Sequence, residues 1–105
     1  MSKPELRELL SQLWEKHLRA PFPPHMRGQV IEGEDMVLLD AGIAGCVSSS
    51  LSGSLEGERR QILLNCLADV ENVLPLIDDG AGAKYYEHLR LMAMVAVELG
   101  TVGAQ

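Results

Sequence analysis

An uninterrupted apolar segment near the carboxyl end constrains the fold of this chain more than any other feature. Its seven residues, Leu91 to Val97 (LMAMVAV), would place apolar side chains on every side of a helix. Such a helix has to be surrounded by other elements, so we predict a central helix over residues 82–99. Gly100 is predicted to end it and to leave residues 100–105 as a flexible tail. The segment is far shorter than the roughly 20 apolar residues that span a bilayer, so no membrane association is expected.

Three further helices are predicted from apolar residues that recur at three- and four-residue spacing. Apolar residues make up 47% of the chain, which is ordinary globular usage, and its 105 residues are enough for one hydrophobic core. We therefore expect a single, mainly α domain over residues 1–105, built as a small four-helix bundle. Its predicted helices cover residues 3–19, 35–52, 55–76 and 82–99.

Capping residues and prolines set the expected helix boundaries. Ser2 and Glu5 have the spacing of a capping box at the start of the first helix, and Pro21 prevents that helix from continuing. Ser54 is the expected N-cap of the third helix. Pro75 lacks the N–H that a helix interior requires, so the third helix should kink or end there.

Residues 20–34 form a connector that is rich in proline. Pro21, Pro23 and Pro24 bias the backbone to extended polyproline geometry, which makes the segment semi-rigid. Two arrangements remain open for the first helix. It can pack on its own bundle, or the connector can carry it to a neighbouring subunit in a domain-swapped dimer.

The end of this connector also allows two interpretations. Residues 29–32 could form a short β segment that pairs with residues 36–39 through a turn at Gly33. Alternatively, the second helix begins at Glu34 or Asp35, whose carboxylates suit a helix start. We favour the helix start.

The second helix contains an unusual number of small residues. Gly42 and Gly45 each lower helix propensity by up to about 1 kcal/mol, so tertiary contacts must compensate. Ala41, Gly45 and Ser49 repeat at four-residue spacing, which is a pattern that lets another helix approach closely.

The charge of the chain is acidic and unevenly distributed. Nine Lys/Arg against fifteen Asp/Glu give a net charge of −6, which argues against nucleic acid as a partner. Residues 1–30 carry five Lys/Arg against three Glu, whereas residues 31–105 carry four against twelve Asp/Glu. We expect the basic arm to pack on the acidic body, within one chain or across a dimer, in preference to an external acidic partner.

The two cysteines and the amino-terminal sequence predict a cytoplasmic protein. Cys46 and Cys66 lie in apolar surroundings and are too few for a disulfide framework, so both are expected to be core thiols. The opening residues, MSKPELRELL, lack the features of a secretory signal peptide.

Asp40 is the strongest candidate for a ligand-binding residue. It falls within an apolar stripe of the second helix that includes Val37, Ala44 and Val47, and a buried carboxylate needs partners. One hypothesis is a ligand-binding network around this carboxylate. The other, which we favour, is a structural ion pair or an Asp at the edge of the stripe. The candidate ligand-binding residues are Asp40, His25, Arg27, His88 and Arg90.

No motif for catalysis, metal or a cofactor is present. The chain has no HExxH and no paired CxxC, so no metal ligands are predicted. The segment from Gly80 to Lys84 (GAGAK) lacks the full phosphate-loop pattern, and the three serines Ser48 to Ser50 lack a nucleophile elbow. We predict no cofactor and no catalytic residue.

These observations favour a small acidic interaction or regulatory protein that acts as a homodimer without catalysis. The central apolar helix and the small-residue second helix offer more apolar face than one chain readily covers, and a dimer would bury the excess. The alternative is a small-molecule-binding protein or a minor enzyme with a pocket around Asp40.

Overall fold

Helix α4 (Gly80–Gly103) packs against each of the other three helices of the bundle. Met92, Ala93 and Ala96, from the apolar segment that predicted its position, are fully buried. The outer side of the same segment remains partly exposed at Leu91 and Met94. The predicted central helix is therefore present.

The computed structural model describes residues 1–103. It contains three further helices, and the predicted mainly α, four-helix class is confirmed. Each of the three lies within two or three residues of its predicted bounds. They are α1 (Lys3–Arg19), α2 (Met36–Ser52) and α3 (Gly57–Val73).

The connector ends in a short antiparallel hairpin. Strands β1 (Val30–Ile31) and β2 (Glu34–Asp35) pair with Val30 opposite Asp35. The two residues between them, Glu32 and Gly33, have φ angles of +52° and +80°. Positive φ at both positions is typical of the two-residue turn that matches the twist of a hairpin.

The short β segment within residues 29–32 is present, but helix α2 begins directly after this hairpin, so the alternative in which that segment pairs with residues 36–39 is wrong. The carboxylate of Asp35 accepts the backbone N–H groups of Val37 at 3.0 Å and Leu38 at 3.1 Å. This capping fixes the helix start where the favoured interpretation placed it, and the second strand lies just before it.

Helix α3 begins at Gly57, later than predicted, and Ser54 is not its N-cap. Leu55 is 5% exposed and is anchored in the core, which keeps the preceding segment out of the helix. The N-cap residue is Glu56, whose side chain accepts no backbone N–H group. At the other end the helix stops at Val73, and a 3-10 turn containing Pro75 follows.

Helix α4 does not end at Gly100. The Arg60 guanidinium donates to the Val97 carbonyl at 3.4 Å and to the Thr101 hydroxyl at 3.1 Å, and it occupies the space that a β-carbon on Gly100 would need. Gly100 therefore serves helix packing, and α4 continues to Gly103. The last two residues of the predicted tail lie outside the described residues.

Helices α2 and α3 approach closely at a glycine, although not at the predicted row. A β-carbon on Gly42 would lie 3.1 Å from the Cys66 sulfur. In contrast, no atom lies within 4 Å of a β-carbon placed on Gly45, and Ala41 is exposed. The predicted small-residue row is thus largely unused within one chain.

Tyr86 connects α4 to the start of α2, and its removal should weaken that connection. Its hydroxyl is buried and donates to the Met36 carbonyl at 2.6 Å. We expect Tyr86→Phe to lower the free energy of unfolding by about 1 kcal/mol, the usual value of one such bond. Urea unfolding measures the change, and an unaltered midpoint would contradict it.

Candidate functional site

Asp40 is the single charged residue of α2, and it lies on the side of that helix next to α1 and α4. Two side chains from those helices contact its carboxylate, and a third stacks on one of these two. His17 comes from the last turn of α1, while Tyr85 and His88 come from the first half of α4. We refer to Asp40, His17, Tyr85 and His88 as the Asp40 cluster.

The two carboxylate oxygens of Asp40 have different surroundings. The Tyr85 hydroxyl donates to Oδ2 at 3.1 Å. His17 Nε2 lies 3.5 Å from Oδ1, close enough for an ion pair when the ring is protonated but without hydrogen-bond geometry. Oδ1 is buried and accepts no hydrogen bond within residues 1–103. The carboxylate is therefore only half satisfied.

The two histidines of the cluster lie side by side between α1 and α4. Their ring centroids are 6.4 Å apart and their planes differ by 10°. His88 Nε2 lies 2.8 Å from the Leu13 carbonyl of α1. Since a carbonyl can only accept, Nε2 of His88 carries a proton and donates it. His88 thus connects α4 to α1 through a hydrogen bond.

Aromatic rings enclose the cluster. Trp14 stacks on His17 with centroids 5.7 Å apart, and Phe22 contacts the face of Tyr85 edge-on at 5.4 Å. Asp40, His17 and Tyr85 line none of four surface cavities in residues 1–103, whereas His88 lines one of them together with Leu74 and Leu91. The Oδ1 atom of Asp40 is itself buried.

Burial shifts the pKa values of three residues of the cluster. It raises the pKa of Asp40, although the Tyr85 hydrogen bond and the His17 ring act in the opposite direction. Burial also lowers the pKa of His17, and the Asp40 charge opposes that shift. The pKa of Tyr85 is raised by burial and by the adjacent carboxylate. In all three groups burial disfavours the charged form, as expected for polar side chains inside a bundle.

Two of the five candidate ligand-binding residues lie in this cluster. Asp40 and His88 both adjoin His17, but no hydrogen bond or ion pair joins them within residues 1–103. His25, Arg27 and Arg90 lie elsewhere. His17 and Tyr85 were not among the candidates, although His17 ends the apolar stripe of the first helix and Tyr85 lies one helical turn before His88.

The other three candidates have partners of their own. His25 Nε2 lies 2.7 Å from an Asp79 carboxylate oxygen. The Arg27 guanidinium lies over the Phe22 ring, 5.1 Å from its centroid. Arg90 forms ion pairs with two glutamates, and the N···O distances are 3.3 Å to Glu71 and 2.9 Å to Glu87.

Comparison with known proteins gives no relative of this chain. No protein-family model, curated protein or solved structure matches it. Within residues 1–103, none of the helices combines the length and apolar content that crossing a membrane requires. In the same part of the chain, no three His, Cys, Asp or Glu residues are grouped as metal ligands.

Removal of the Tyr85 hydroxyl should destabilise the domain, because the buried Asp40 carboxylate then loses its hydrogen bond. We expect Tyr85→Phe to lower the free energy of unfolding at pH 7 by roughly 1.5–3 kcal/mol, the range for a hydrogen bond to a charged group. The measurement is urea unfolding of Tyr85→Phe, Asp40→Asn and the double variant.

In the Asp40→Asn background the same change should cost only about 0.5–1.5 kcal/mol, because the acceptor is neutral. Equal costs in the two backgrounds would show that the Tyr85 hydroxyl does not stabilise the negative charge of Asp40.

Protonation of His17 should destabilise the domain. Because its pKa in the folded state lies below the usual value of about 6.5, the unfolded chain binds the proton more tightly. The stability that neutral His17 contributes is therefore complete above a pH of about 6.5 and decreases as the pH falls below about 6.5. Between pH 7.5 and 5.5, the wild type should lose more stability than His17→Gln, as measured by urea unfolding. Parallel pH profiles would contradict this expectation.

Proposed function

We propose that this chain is a non-catalytic interaction or regulatory protein that forms a homodimer through the outer side of α2. The residues that define this surface, which we call the α2 face, are exposed and lie about one helical turn apart. They are Leu38, Ala41, Gly45, Ser48 and Ser52.

The absence of charge on the α2 face is the observation that carries the proposal. The outward side of a surface helix ordinarily bears charged residues, and 23% of this chain is charged. Asp40, the one charge of α2, is directed inward to His17 and Tyr85. The Ser52 hydroxyl donates to the Ser48 carbonyl, which satisfies a polar group of the face within the helix.

A second copy of the chain is the occupant that this surface fits best. Two chains of net charge −6 repel each other, and a two-fold interface places the same patch of each copy in contact. Because the α2 face is uncharged, contact between two such faces adds no repulsion between like charges at close range. The side chains of Ala41 and Gly45 are also small enough to let two α2 helices pack tightly.

Two exposed apolar side chains, one on the α2 face and one on the neighbouring helix α3, enlarge the area that a dimer would bury. Leu38 is 69% exposed and Ile62 is 44% exposed. Helices α2 and α3 are antiparallel, with Gly42 opposite Cys66 and Ser49 beside Arg59, so Ile62 lies level with Gly45. The 17 residues of α2 extend over about 25 Å, which gives an interface of modest size.

The other partly exposed apolar pair is less suited to self-association. Leu91 and Met94 of α4 are 42% and 41% exposed. Glu87 and Glu98 are exposed on the same side of that helix at helical spacing. Two copies meeting there would bring like charges together, which a −6 chain cannot offset easily.

A non-catalytic role agrees with the burial of the Asp40 carboxylate. A substrate needs access to the reacting groups, and Oδ1 of this carboxylate is buried beside His17. The alternative function, a ligand pocket around Asp40, has less support because Asp40 lines none of the four cavities considered above.

We place this role in the cytoplasm, where the chain would bind a protein partner and not nucleic acid. Both cysteines are unpaired, which suits a reducing compartment. The acidic net charge disfavours the phosphate backbone of nucleic acids.

Sedimentation velocity at several concentrations tests the dimer. Wild-type protein should reach twice the chain mass at micromolar concentration. Ala41→Arg adds a charge to the centre of the α2 face and should weaken association by at least about tenfold. Ala68→Arg is the matched control, because Ala68 is exposed on α3 away from this face. A monomeric wild type, or equal effects of the two variants, would overturn the dimer. Robust turnover of a substrate by the pure protein would overturn the non-catalytic role.

A further inference from the structure

We propose that a cavity at one end of the bundle binds a small organic dianion, either a phosphate monoester or a dicarboxylate. The cavity lies where α1 and α3 begin and where α2 and α4 end. Its volume is about 440 Å³, within the range of roughly 300–1,000 Å³ that small-molecule sites usually have. It is separate from both the Asp40 cluster and the α2 face.

The charge of the cavity wall is opposite to that of the protein. Lys3, Arg7 and Arg60 line it, against a single carboxylate residue, Glu56. The chain as a whole carries a net charge of −6. None of the three cations lies within ion-pair distance of a carboxylate in residues 1–103. Their positive charges therefore remain available to an anion.

Arg7 is fixed in position without losing its charge. Its guanidinium donates to the carbonyls of Ser50 at 3.1 Å, Leu51 at 3.2 Å and Gly53 at 3.3 Å, at the end of α2. These acceptors are neutral, so they orient the group but do not compensate its charge. A cation that is already ordered loses little entropy when it binds a ligand.

Arg60 is held in the same manner from the opposite wall. It donates to the Val97 carbonyl and the Thr101 hydroxyl, which leaves further N–H donors of its guanidinium unused. A planar group with paired donors matches the oxygens of a carboxylate or phosphate.

Ser50 adds a hydroxyl group to the wall of the cavity. The residue is only 3% exposed and lines the cavity. A serine hydroxyl is a hydrogen-bond donor, so an oxyanion bound in the cavity would accept a hydrogen bond from this side chain.

Two further features limit the size and chemistry of the ligand. Leu55 and Leu99 give the wall an apolar part that suits a short carbon chain. The backbone N–H groups at the start of α3, beside the cavity, have no side-chain cap. Three cations and these donors favour two negative charges over one, and the acidic surface outside the cavity disfavours a long polyanion.

Isothermal titration of the full chain with glycerol 3-phosphate, succinate and inorganic phosphate tests the site, with sodium chloride keeping the ionic strength constant. We expect saturable one-to-one binding of at least one of the two organic dianions, more tightly than inorganic phosphate. The comparison of glycerol 3-phosphate with succinate identifies which oxyanion the site prefers. Absence of saturable binding of both would overturn the proposal.

Two lysines of α1 provide a matched pair of variants. The Lys3 side chain makes no ion pair within residues 1–103, so Lys3→Gln should fold normally and weaken binding by several-fold. Lys16→Gln removes the same charge from the other end of the helix and should bind like the wild type. Arg60→Gln should weaken binding by about tenfold or more, because a hydrogen bond between two charged groups is lost. Equal weakening by both lysine variants would show that net charge alone is responsible and would overturn the assignment.

Discussion

The burial of α4 is the constraint on which the rest of this structure depends. A helix with apolar side chains on most of its circumference has to be covered from several directions, and α1, α2 and α3 provide that cover. Each of these three outer helices therefore packs one of its faces against α4. For α1 and α3 the opposite face is charged, as is usual. Helix α2 is the exception, because its single charge points inward and its outer face is neutral. The proposed interface is thus a consequence of how the core is divided among the helices.

The sequence predicted those elements whose causes are local. The capping box at Ser2 is present, and the carboxylate of Asp35 begins α2, because these contacts join residues only a few positions apart. The late start of α3 and the continuation of α4 past Gly100 were not predictable in this way. Both depend on packing between distant segments, with Leu55 anchored in the core and Arg60 placed beside Gly100. Propensity and capping rules contain no information on such contacts.

The candidate site shows the same division between local and distant causes. Helical periodicity predicted that Asp40 lies within an apolar stripe and that it needs partners. It could not predict which residues those partners are, since His17 and Tyr85 reach the carboxylate from two other helices. The basic cavity likewise could not be predicted from the sequence. Its cations come from residues 3, 7 and 60, and only the meeting of four helix ends brings them together.

The glycines and serines of α2 determine how the domain unfolds. A segment with Gly42, Gly45 and three consecutive serines has little tendency to remain helical in water by itself. Its helical state exists because Cys66 packs against Gly42 and because Tyr86 and Arg7 bind carbonyls at its two ends. Loss of any neighbouring helix would therefore release α2 as well, and α4 would then lose its cover. We therefore expect this chain to fold in an all-or-none manner, and truncated forms should not retain a folded remnant.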